Sequence, residues 1–349
     1  MQALVWTGPR RMEMQELPMP APAAGEVLLR VCVAGICGSD LSGYVGENSL
    51  RVPPLVMGHE FVGEVVEHAQ PDAAGPDAVR FQAWQRVVVN PLISCGACDL
   101  CAAGRENLCR NRRIIGIHRP GGFAEYVAVP AAQCHLVPTT LSDSQAALAE
   151  PLACGFRAVA QGRVSAGDEM LILGAGAIGL LCVVAARVAG VSRITITDTS
   201  PERLAAATAL GATTTLRADQ HDIGAEVQNL TDSLGMTVAI DAVGLELTRR
   251  QAVRAVRPGG RAVFIGLHHE TSTVEANYVV RQEIEIAGAF SYLHSEFAAA
   301  LKTLADGVLG EEQTWIMEQE LDHGAAIFAD LHAARIPATK VTLRPGRTP

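Results

Sequence analysis

The spacing of hydrophobic and polar residues differs between the first 150 residues of the chain and the residues that follow. In the first part, short runs of β-branched and aromatic residues are separated by Gly, Pro and Asn, which is typical of a compact, loop-rich β domain. We predict strands in this part at Glu26–Ala34, Phe61–Glu67, Arg86–Asn90 and Phe123–Val129. The pattern indicates a barrel-like architecture.

After about Leu152, apolar runs alternate with alanine-rich stretches of helical character. We predict strands in this part at Glu169–Leu173, Arg193–Thr197, Thr213–Leu216, Val238–Ile240, Arg261–Ile265 and Ile284–Ala287. Apolar strands separated by helices are typical of a parallel, doubly wound sheet that helices cover on both faces. Beyond about Ser295 we predict two helices, the second near Gly324–Ala334, and a last strand near Lys340–Leu343. The predicted fold class is therefore α/β with a second, β-rich domain.

A glycine-rich turn, Gly174–Gly179 (GAGAIG), follows the first strand of the predicted parallel sheet. In a dinucleotide-binding turn, the first glycine allows the tight bend, the second lets the pyrophosphate approach the backbone, and the third lets helix and strand pack closely. The N-terminus of the following helix adds free N–H groups and the positive end of its dipole. The residues predicted to bind a dinucleotide are Gly174, Gly176, Ala177, Ile178 and Gly179.

An acidic residue, Asp198, ends the next predicted strand, nineteen residues after Gly179. At this position a carboxylate accepts hydrogen bonds from the adenosine ribose hydroxyls, and it would repel the 2′-phosphate of NADP. We therefore predict NAD as the cofactor. Arg203, one helical turn further on, is a further candidate at the adenine end of the cofactor.

Charge and hydropathy restrict the partners of the protein. The 349 residues carry a formal net charge of −9, so we expect no binding to nucleic acid, which needs a basic face. The N-terminus shows neither the basic region nor the apolar core of a signal peptide, and we expect a cytoplasmic protein. The uncharged stretch from Met170 to Ala186 approaches the length of a membrane span, but its glycine spacing indicates a buried strand and helix.

Four of the nine cysteines lie within fifteen residues of one another. Cys95, Cys98, Cys101 and Cys109 have the spacing C-x2-C-x2-C-x7-C. In a chain without a secretory signal, such a cluster indicates metal binding before disulfides. Four thiolates around one ion form a closed structural zinc site that leaves no position for a substrate. An iron–sulfur cluster is the alternative, because cysteines with this spacing also occur there.

Two glycine-flanked segments contain ligand types for a second, reactive metal. Cys37 follows a predicted strand and His59 precedes one, and thiolate together with imidazole suits zinc. Taken singly, each is at least as well explained as a buried core residue, but the pair beside glycines favours a metal. Glu150 is a third candidate, because it interrupts an apolar stretch and a buried carboxylate usually needs a partner or a metal.

In chain order, these motifs resemble those of the zinc-containing medium-chain alcohol dehydrogenases, and more narrowly the polyol branch with sorbitol, xylitol and galactitol-phosphate dehydrogenases. The resemblance covers essentially the whole chain and rests on Cys37-Gly38-Ser39-Asp40, Gly58-His59-Glu60, the four-cysteine lobe, Gly121–Tyr126, Glu150-Pro151-Leu152, the glycine turn and Asp198. It implies a GroES-like catalytic domain at 1–151 with a zinc lobe at about 91–113. A Rossmann domain at 152–293 and a return to the catalytic domain at 294–349 would follow.

The resemblance also implies ligands for the catalytic zinc, which would be the second zinc of each chain. Cys37 and His59 would bind the ion, and Glu60 would supply the third ligand, as the glutamate after the histidine commonly does in this branch. Glu150 matches a cysteine ligand of the ethanol-type enzymes, and it would bind the zinc directly or hold the zinc-bound water. Which of the two glutamates is the resting ligand stays open.

Three further positions take their expected roles from the resemblance. Ser39 corresponds to the hydroxyl that hydrogen-bonds the substrate oxygen, and Lys340 to a basic residue near the cofactor phosphates. Many relatives carry a proton-relay histidine five residues after the zinc cysteine, but this chain has Ser42 there, so the exit of the proton stays open. The resemblance also implies a homodimer or homotetramer.

The reaction that the resemblance implies is the oxidation of a secondary alcohol, of the polyol or sugar-alcohol class, to a ketone with hydride transfer to NAD. A threonine or other amino-alcohol dehydrogenase is an alternative that uses the same zinc and cofactor plan. A non-catalytic protein that senses the NAD redox state is a second alternative. It predicts one tightly bound zinc per chain instead of two, and no alcohol-dependent NADH formation.

Overall fold

The computed structural model describes residues 1–68, 81–310 and 313–346. The chain forms two compact units. The barrel unit comprises Met1–Glu150, Phe297–Asp306 and Ile316–Pro349, and the Rossmann unit comprises Pro151–Glu296 and Gly307–Trp315. The part of the chain after residue 294 therefore contributes to both units, and the domain limits implied by the family resemblance stay a prediction.

The described residues form eighteen strands and eleven α-helices. The strands are β1 (Gln2–Gly8), β2 (Arg11–Glu16), β3 (Glu26–Ile36), β4 (Leu55–Val56), β5 (Glu60–His68), β6 (Arg86–Val89), β7 (Leu92–Ile93), β8 (Arg113–Ile114), β9 (Tyr126–Pro130), β10 (Cys134–Leu136), β11 (Glu169–Leu173), β12 (Arg193–Asp198), β13 (Thr214–Arg217), β14 (Met236–Asp241), β15 (Val256–Phe264), β16 (Glu285–Gly288), β17 (Ile316–Glu320) and β18 (Lys340–Arg344). The α-helices are α1 (Gly38–Val45), α2 (Asp99–Ala102), α3 (Asp143–Ala146), α4 (Ala149–Gly162), α5 (Ala177–Val188), α6 (Pro201–Ala209), α7 (Ile223–Leu230), α8 (Glu246–Ala255), α9 (Ala276–Gln282), α10 (His294–Ala305) and α11 (Gly324–His332).

The barrel unit is built around a largely antiparallel sheet with the strand order β10-β6-β5-β3-β18-β17, in which β9 also pairs with β3. A second sheet has the order β2-β1-β4. Strand β3 is buried along most of its length, and its core residues Val27 and Leu29 pack with Phe61 and Phe123. The strands predicted for this part are present, although the one predicted at Phe123–Val129 begins only at Tyr126.

Strands β1, β2 and β17 were not predicted from the sequence. Strand β1 pairs with β2 as an antiparallel hairpin, and β17 pairs in parallel with β18 at the edge of the large sheet. In both β2 and β17, charged and polar residues outnumber the apolar ones, and only Met12 is buried. The apolar signal of these two strands is weak because one of their faces is exposed and the other is only partly covered.

The Rossmann unit contains a six-stranded sheet with the order β13-β12-β11-β14-β15-β16. All five neighbouring pairs are parallel. Each of the six strands predicted for this part is present, which confirms the α/β, doubly wound fold. The uncharged stretch from Met170 to Ala186 forms β11, the glycine turn and most of α5. Among the described residues, no helix has both the length and the apolar character needed to cross a bilayer.

Candidate metal centres and dinucleotide site

The glycine turn lies between β11, in the middle of the parallel sheet, and α5. Gly174 has φ +95°, a conformation that favours glycine, and it makes the bend directly after the strand. A Cβ atom on Gly179 would lie 1.8 Å from the carbonyl oxygen of Gly174, so only glycine lets the helix pack this closely. A Cβ on Gly176, the N-cap of α5, would meet no atom within 4 Å. The helix N-terminus is therefore approachable by a phosphate group.

Asp198 is the last residue of β12, and its carboxylate is fixed beside the glycine turn. Oδ2 accepts a hydrogen bond from the backbone N–H of Ala175 at 2.8 Å, and Oδ1 accepts one from Ser200 N–H at 2.9 Å. The Arg203 guanidinium is partly exposed, with Nη1 3.9 Å from Oδ2 of Asp198. The structure thus brings the predicted ribose-binding carboxylate and the predicted pyrophosphate turn together at the carboxyl ends of neighbouring strands, where open α/β sheets bind ligands.

The four clustered cysteines converge in a small lobe around the β7–β8 hairpin and α2. Their sulfur atoms all lie within 4.8 Å of one another. Cys98 Sγ is 3.6 Å from Cys101 Sγ and 3.9 Å from Cys109 Sγ, and Cys95 Sγ is 4.0 Å from Cys101 Sγ. Zn–S bonds of about 2.3 Å place tetrahedral sulfur ligands about 3.8 Å apart. This spacing suits a single ion and is too short to enclose a multi-iron cluster.

The pKa values of the clustered cysteine thiols also favour a bound cation. Backbone N–H groups of Cys101 and Arg110 lower the pKa of Cys98 to about 6. Burial, together with the neighbouring sulfur atoms of Cys98 and Cys109, raises the pKa of Cys101 to about 12. Without a cation, the four thiols therefore cannot all be ionised at neutral pH. A divalent metal ion removes this conflict, because it deprotonates the thiols that bind it.

A second group of metal-ligand side chains comprises Cys37, His59 and Glu60, whose ligand atoms also lie within 4.8 Å of one another. Cys37 is the N-cap residue of α1, His59 directly precedes β5, and Glu60 is the first residue of that strand. His59 and Glu60 are 5% and 1% exposed, so the imidazole and the carboxylate are shielded from bulk water. A thiolate, an imidazole and a carboxylate form a donor set that suits zinc. The residues present therefore fit the metal that the motifs predict.

Asp40 and Arg51 extend this group and were not identified as functional residues from the sequence. Asp40 Oδ1 lies 3.4 Å from His59 Nδ1, which leaves Nε2 of the ring for a metal. The same oxygen accepts a hydrogen bond from Arg51 Nη2 at 2.8 Å. Burial alone would raise the pKa of Asp40, but the adjacent His59 imidazole and Arg51 guanidinium hold it well below its usual range. Asp40 is therefore an ionised, buried carboxylate behind the candidate metal ligand.

Lys340, which the resemblance places near the cofactor phosphates, is paired in the structure with a candidate metal ligand. Its Nζ atom forms an ion pair with Glu60 Oε2 and donates a hydrogen bond to the carbonyl oxygen of Ile36 at 3.0 Å. Burial would lower the pKa of Lys340, but the negative charges of Glu60, Cys37 and Glu150 raise it above its usual value. Lys340 thus remains a cation beside the candidate metal ligands. Glu150, buried in the first turn of α4, is not in the group within 4.8 Å.

Replacing Lys340 with methionine is expected to lower the free energy of unfolding by about 3–5 kcal/mol, because the buried carboxylate of Glu60 would lose its cation. Urea unfolding of the zinc-free protein measures this change. Lys302→Met is the matched control, since Lys302 and Asp306 form an exposed i,i+4 ion pair at the C-terminal end of α10, and it should cost less than about 1 kcal/mol. Equal, small losses for both variants would show that Lys340 and Glu60 do not depend on each other.

Family models match most of the chain. An "alcohol dehydrogenase GroES-like domain" matches residues 23–139, and a "zinc-binding dehydrogenase" domain matches residues 177–306. The protein is also 32% identical over 315 residues to sorbitol dehydrogenase of Bacillus subtilis (strain 168), a match that covers 88% of this chain and 87% of that protein. L-threonine 3-dehydrogenase of Chelativorans sp. (strain BNC1) is 34% identical over 302 residues, with 83% of each chain covered. The chain belongs to the zinc-containing medium-chain alcohol dehydrogenase family.

Solved structures of the same fold contain both forms of the nicotinamide cofactor. A zinc-binding dehydrogenase from Sinorhizobium meliloti 1021 with bound NADP is 33% identical, with a TM-score of 0.88 and 99% of each chain covered. A short chain alcohol dehydrogenase (rspB) from Escherichia coli CFT073 complexed with NADH is 29% identical, with a TM-score of 0.88 and 98% of each chain covered. These matches confirm the predicted GroES-like and Rossmann-type domains.

Proposed function

We propose that this protein oxidises a secondary alcohol of the polyol or sugar-alcohol class to the ketone and transfers the hydride to NAD. The observation that carries the proposal is the group formed by half-buried Cys37 and buried His59 and Glu60, with Ser39 only two residues from the thiol. Its donor set suits a zinc ion, which when bound supplies Lewis acidity to the substrate hydroxyl. The sorbitol dehydrogenase relative supports the polyol class.

The side chains at this site would have different roles in alcohol oxidation. Cys37, His59 and Glu60 would hold the metal, and Asp40 would hold the imidazole in its orientation. The hydroxyl of Ser39 would accept a hydrogen bond from the substrate hydroxyl and pass its proton on. The substrate then loses one hydride to the nicotinamide and one proton to solvent, so that alcohol and NAD⁺ give ketone, NADH and H⁺. The hydride chemistry belongs to the cofactor, and the protein supplies orientation and charge.

The other zinc ion of each chain, at the four-cysteine lobe, would have a structural role. The four sulfur atoms, which lie within 4.8 Å of one another, would fill the tetrahedral shell of the ion and leave no position for a substrate. A homodimer or homotetramer, expected from the family resemblance, also stays a proposal. Metal analysis and the mass of the particle in solution test the two points separately.

The preference for NAD rests on Asp198, whose carboxylate would accept hydrogen bonds from the ribose and repel a 2′-phosphate. Asp198→Ala is expected to change the ratio of kcat/KM with NAD to kcat/KM with NADP by about 10- to 100-fold toward NADP, as expected for the loss of hydrogen bonds to a charged group. Steady-state kinetics with both cofactors measures the ratio. Asp306→Ala, which removes an exposed carboxylate of the barrel unit, is the control and should leave it unchanged.

The substrate class is tested by measuring NADH formation with a panel of alcohols, with zinc counted per chain. The panel contains polyols, polyol phosphates, simple secondary alcohols and threonine. We expect the highest kcat/KM with an unphosphorylated polyol and two zinc ions per chain. The threonine dehydrogenase relative makes an amino alcohol the second candidate, and a clear preference for threonine would replace the polyol proposal. One zinc per chain and no NADH formation with any alcohol would favour a non-catalytic role.

A further inference from the structure

Arg51 is a buried cation that no motif of the sequence assigns to the site. It lies between α1 and β4, and its side chain is 0% exposed, as is that of its partner Asp40. Transferring a charged group out of water costs free energy unless the group is paired and hydrogen-bonded. Burial of this guanidinium must therefore be offset by its contacts, and those contacts indicate its role.

A single nitrogen of the guanidinium contacts two side chains in the first turn of α1. Arg51 Nη2 donates hydrogen bonds to Asp40 Oδ1 at 2.8 Å and to Ser39 Oγ at 3.2 Å. Among the described residues, Nε and Nη1 of Arg51 have no hydrogen-bond partner. The polar contacts of the cation thus converge on the residue behind His59 and on the hydroxyl expected to meet the substrate.

The helix is shaped to admit the arginine. A Cβ atom on Gly43 would lie 2.5 Å from Cδ of Arg51, so the side chain passes through the space that this glycine leaves. Gly43 is one helical turn after Ser39 and Asp40, and it therefore lies on the same face of α1. Arg51 crosses this face and reaches both side chains from one side.

Asp40 connects Arg51 with the candidate ligands. Its Oδ2 atom accepts a hydrogen bond from the backbone N–H of Cys37 at 3.0 Å, while Oδ1 faces both His59 Nδ1 and Arg51. Movement of this carboxylate would therefore disturb a backbone and an imidazole that each belong to a candidate zinc ligand. Partners that orient a ligating imidazole in this way typically contribute 10- to 100-fold to metal affinity.

The hydrogen bond from Arg51 makes the Ser39 hydroxyl an acceptor on the side that faces the arginine. A hydroxyl that accepts a hydrogen bond from a guanidinium keeps its own hydrogen and a second lone pair for the substrate oxygen. Ser42, which stands where many relatives have a relay histidine, donates its hydroxyl to the carbonyl oxygen of Ser39 at 3.0 Å. The side chain at position 42 is thus engaged with the backbone, and the group facing the Ser39 hydroxyl is the cation of Arg51.

We propose that Arg51 is a positioning residue of this metal centre, which holds His59 through Asp40 and presents the hydroxyl of Ser39 to the substrate. The inference rests on the proposed function, since it assigns to the same site a residue that orients His59 and the hydroxyl of Ser39. A purely structural arginine, in contrast, would only neutralise Asp40 and would have no influence through Ser39.

The first test is independent of turnover and measures zinc retention against a competing chelator. Arg51→Met is expected to lower the zinc affinity of the Cys37 site about tenfold, while the four-cysteine site in the same sample keeps its zinc. Arg254→Met is the matched control, because it removes an arginine from an exposed ion pair with Glu275 in the Rossmann unit. Wild-type zinc affinity in Arg51→Met would overturn the link through Asp40.

The second test is a double-mutant cycle with zinc saturating. Arg51→Met is expected to lower kcat about 10- to 100-fold with little change in KM, as expected for a lost hydrogen bond from a charged donor, and Arg51→Lys should recover part of the loss. In a Ser39→Ala background, Arg51→Met should lower the remaining kcat less than about threefold, because the hydroxyl it positions is already absent. Equal fold losses in both backgrounds would overturn the positioning of Ser39.

Both tests need folded protein, and their outcomes separate the inference from the proposed function. Thermal unfolding is recorded for each variant, and Arg51→Lys replaces Arg51→Met in both tests if the latter folds poorly. Absence of NADH formation by the wild-type protein with every alcohol would contradict the proposed function. In that case the zinc competition alone decides whether Arg51 positions the metal ligands.

Discussion

Cys37→Ala is expected to lower kcat for alcohol oxidation about 1000-fold or more and to reduce the zinc content by one ion per chain. The substitution removes the only thiolate of the group, and of the two ligands left, Glu60 is already ion-paired with Lys340. Lewis-acid stabilisation by a metal contributes several kcal/mol to the transition state, and each 1.4 kcal/mol corresponds to about tenfold in rate. Steady-state kinetics and metal analysis of the same preparation measure both effects.

NAD binding provides the internal control for this substitution. The glycine turn and Asp198 belong to the Rossmann unit, whereas Cys37 belongs to the barrel unit, so the Kd for NAD should stay within about threefold of wild type. Cys32→Ala, which removes a partly buried thiol of strand β3 outside the metal group, should keep both turnover and zinc. Near wild-type turnover by Cys37→Ala, or a zinc content of two, would contradict the assignment of the catalytic metal.

The sequence predicted the parallel sheet more completely than the barrel, and the reason lies in burial. Strand β11 has the predicted limits, Glu169–Leu173, because four of its five residues are buried and a glycine follows directly. Strand β17, Ile316–Glu320, has no fully buried residue and lies at the edge of its sheet. A period-2 pattern can be recognised only where one face of a strand is covered, so this strand was missed.

The sequence predicted those parts of the candidate site whose residues form a local motif. It did not predict the parts that tertiary contacts bring together. The four cysteines and the glycine turn are each contained in a short segment, and the structure brings each set together. Lys340 and Glu60 are 280 positions apart and meet because β18 and β5 both pair with β3. Arg51 appears in the sequence as one basic residue of a loop, and only the packing of α1 shows that it is buried.

Cys109→Ala is expected to disorder the lobe at residues 91–113 while the Rossmann sheet keeps its protection. In this lobe, only Pro91, Leu92, Asn107 and Cys109 are buried, and α2 buries no residue. So few apolar contacts cannot offset the entropy of ordering the segment, which leaves the metal as the main source of its stability. Hydrogen exchange measured by mass spectrometry should show lobe peptides exchanging about 100-fold faster, as expected where metal binding contributes several kcal/mol to local stability.

Cys109 is the most informative position for this test because it is the fully buried cysteine of the cluster. Its sulfur lies 3.9 Å from Cys98 Sγ and accepts a hydrogen bond from Cys95 N–H at 3.3 Å. Cys182→Ala is the matched control, since it also removes a fully buried thiol, but from the core of the Rossmann unit on α5. It should lower the melting temperature slightly without changing exchange in the lobe or the zinc content. If lobe peptides of Cys109→Ala stay protected after one zinc is lost, the backbone of the lobe is ordered by its own contacts, and the metal there has another role.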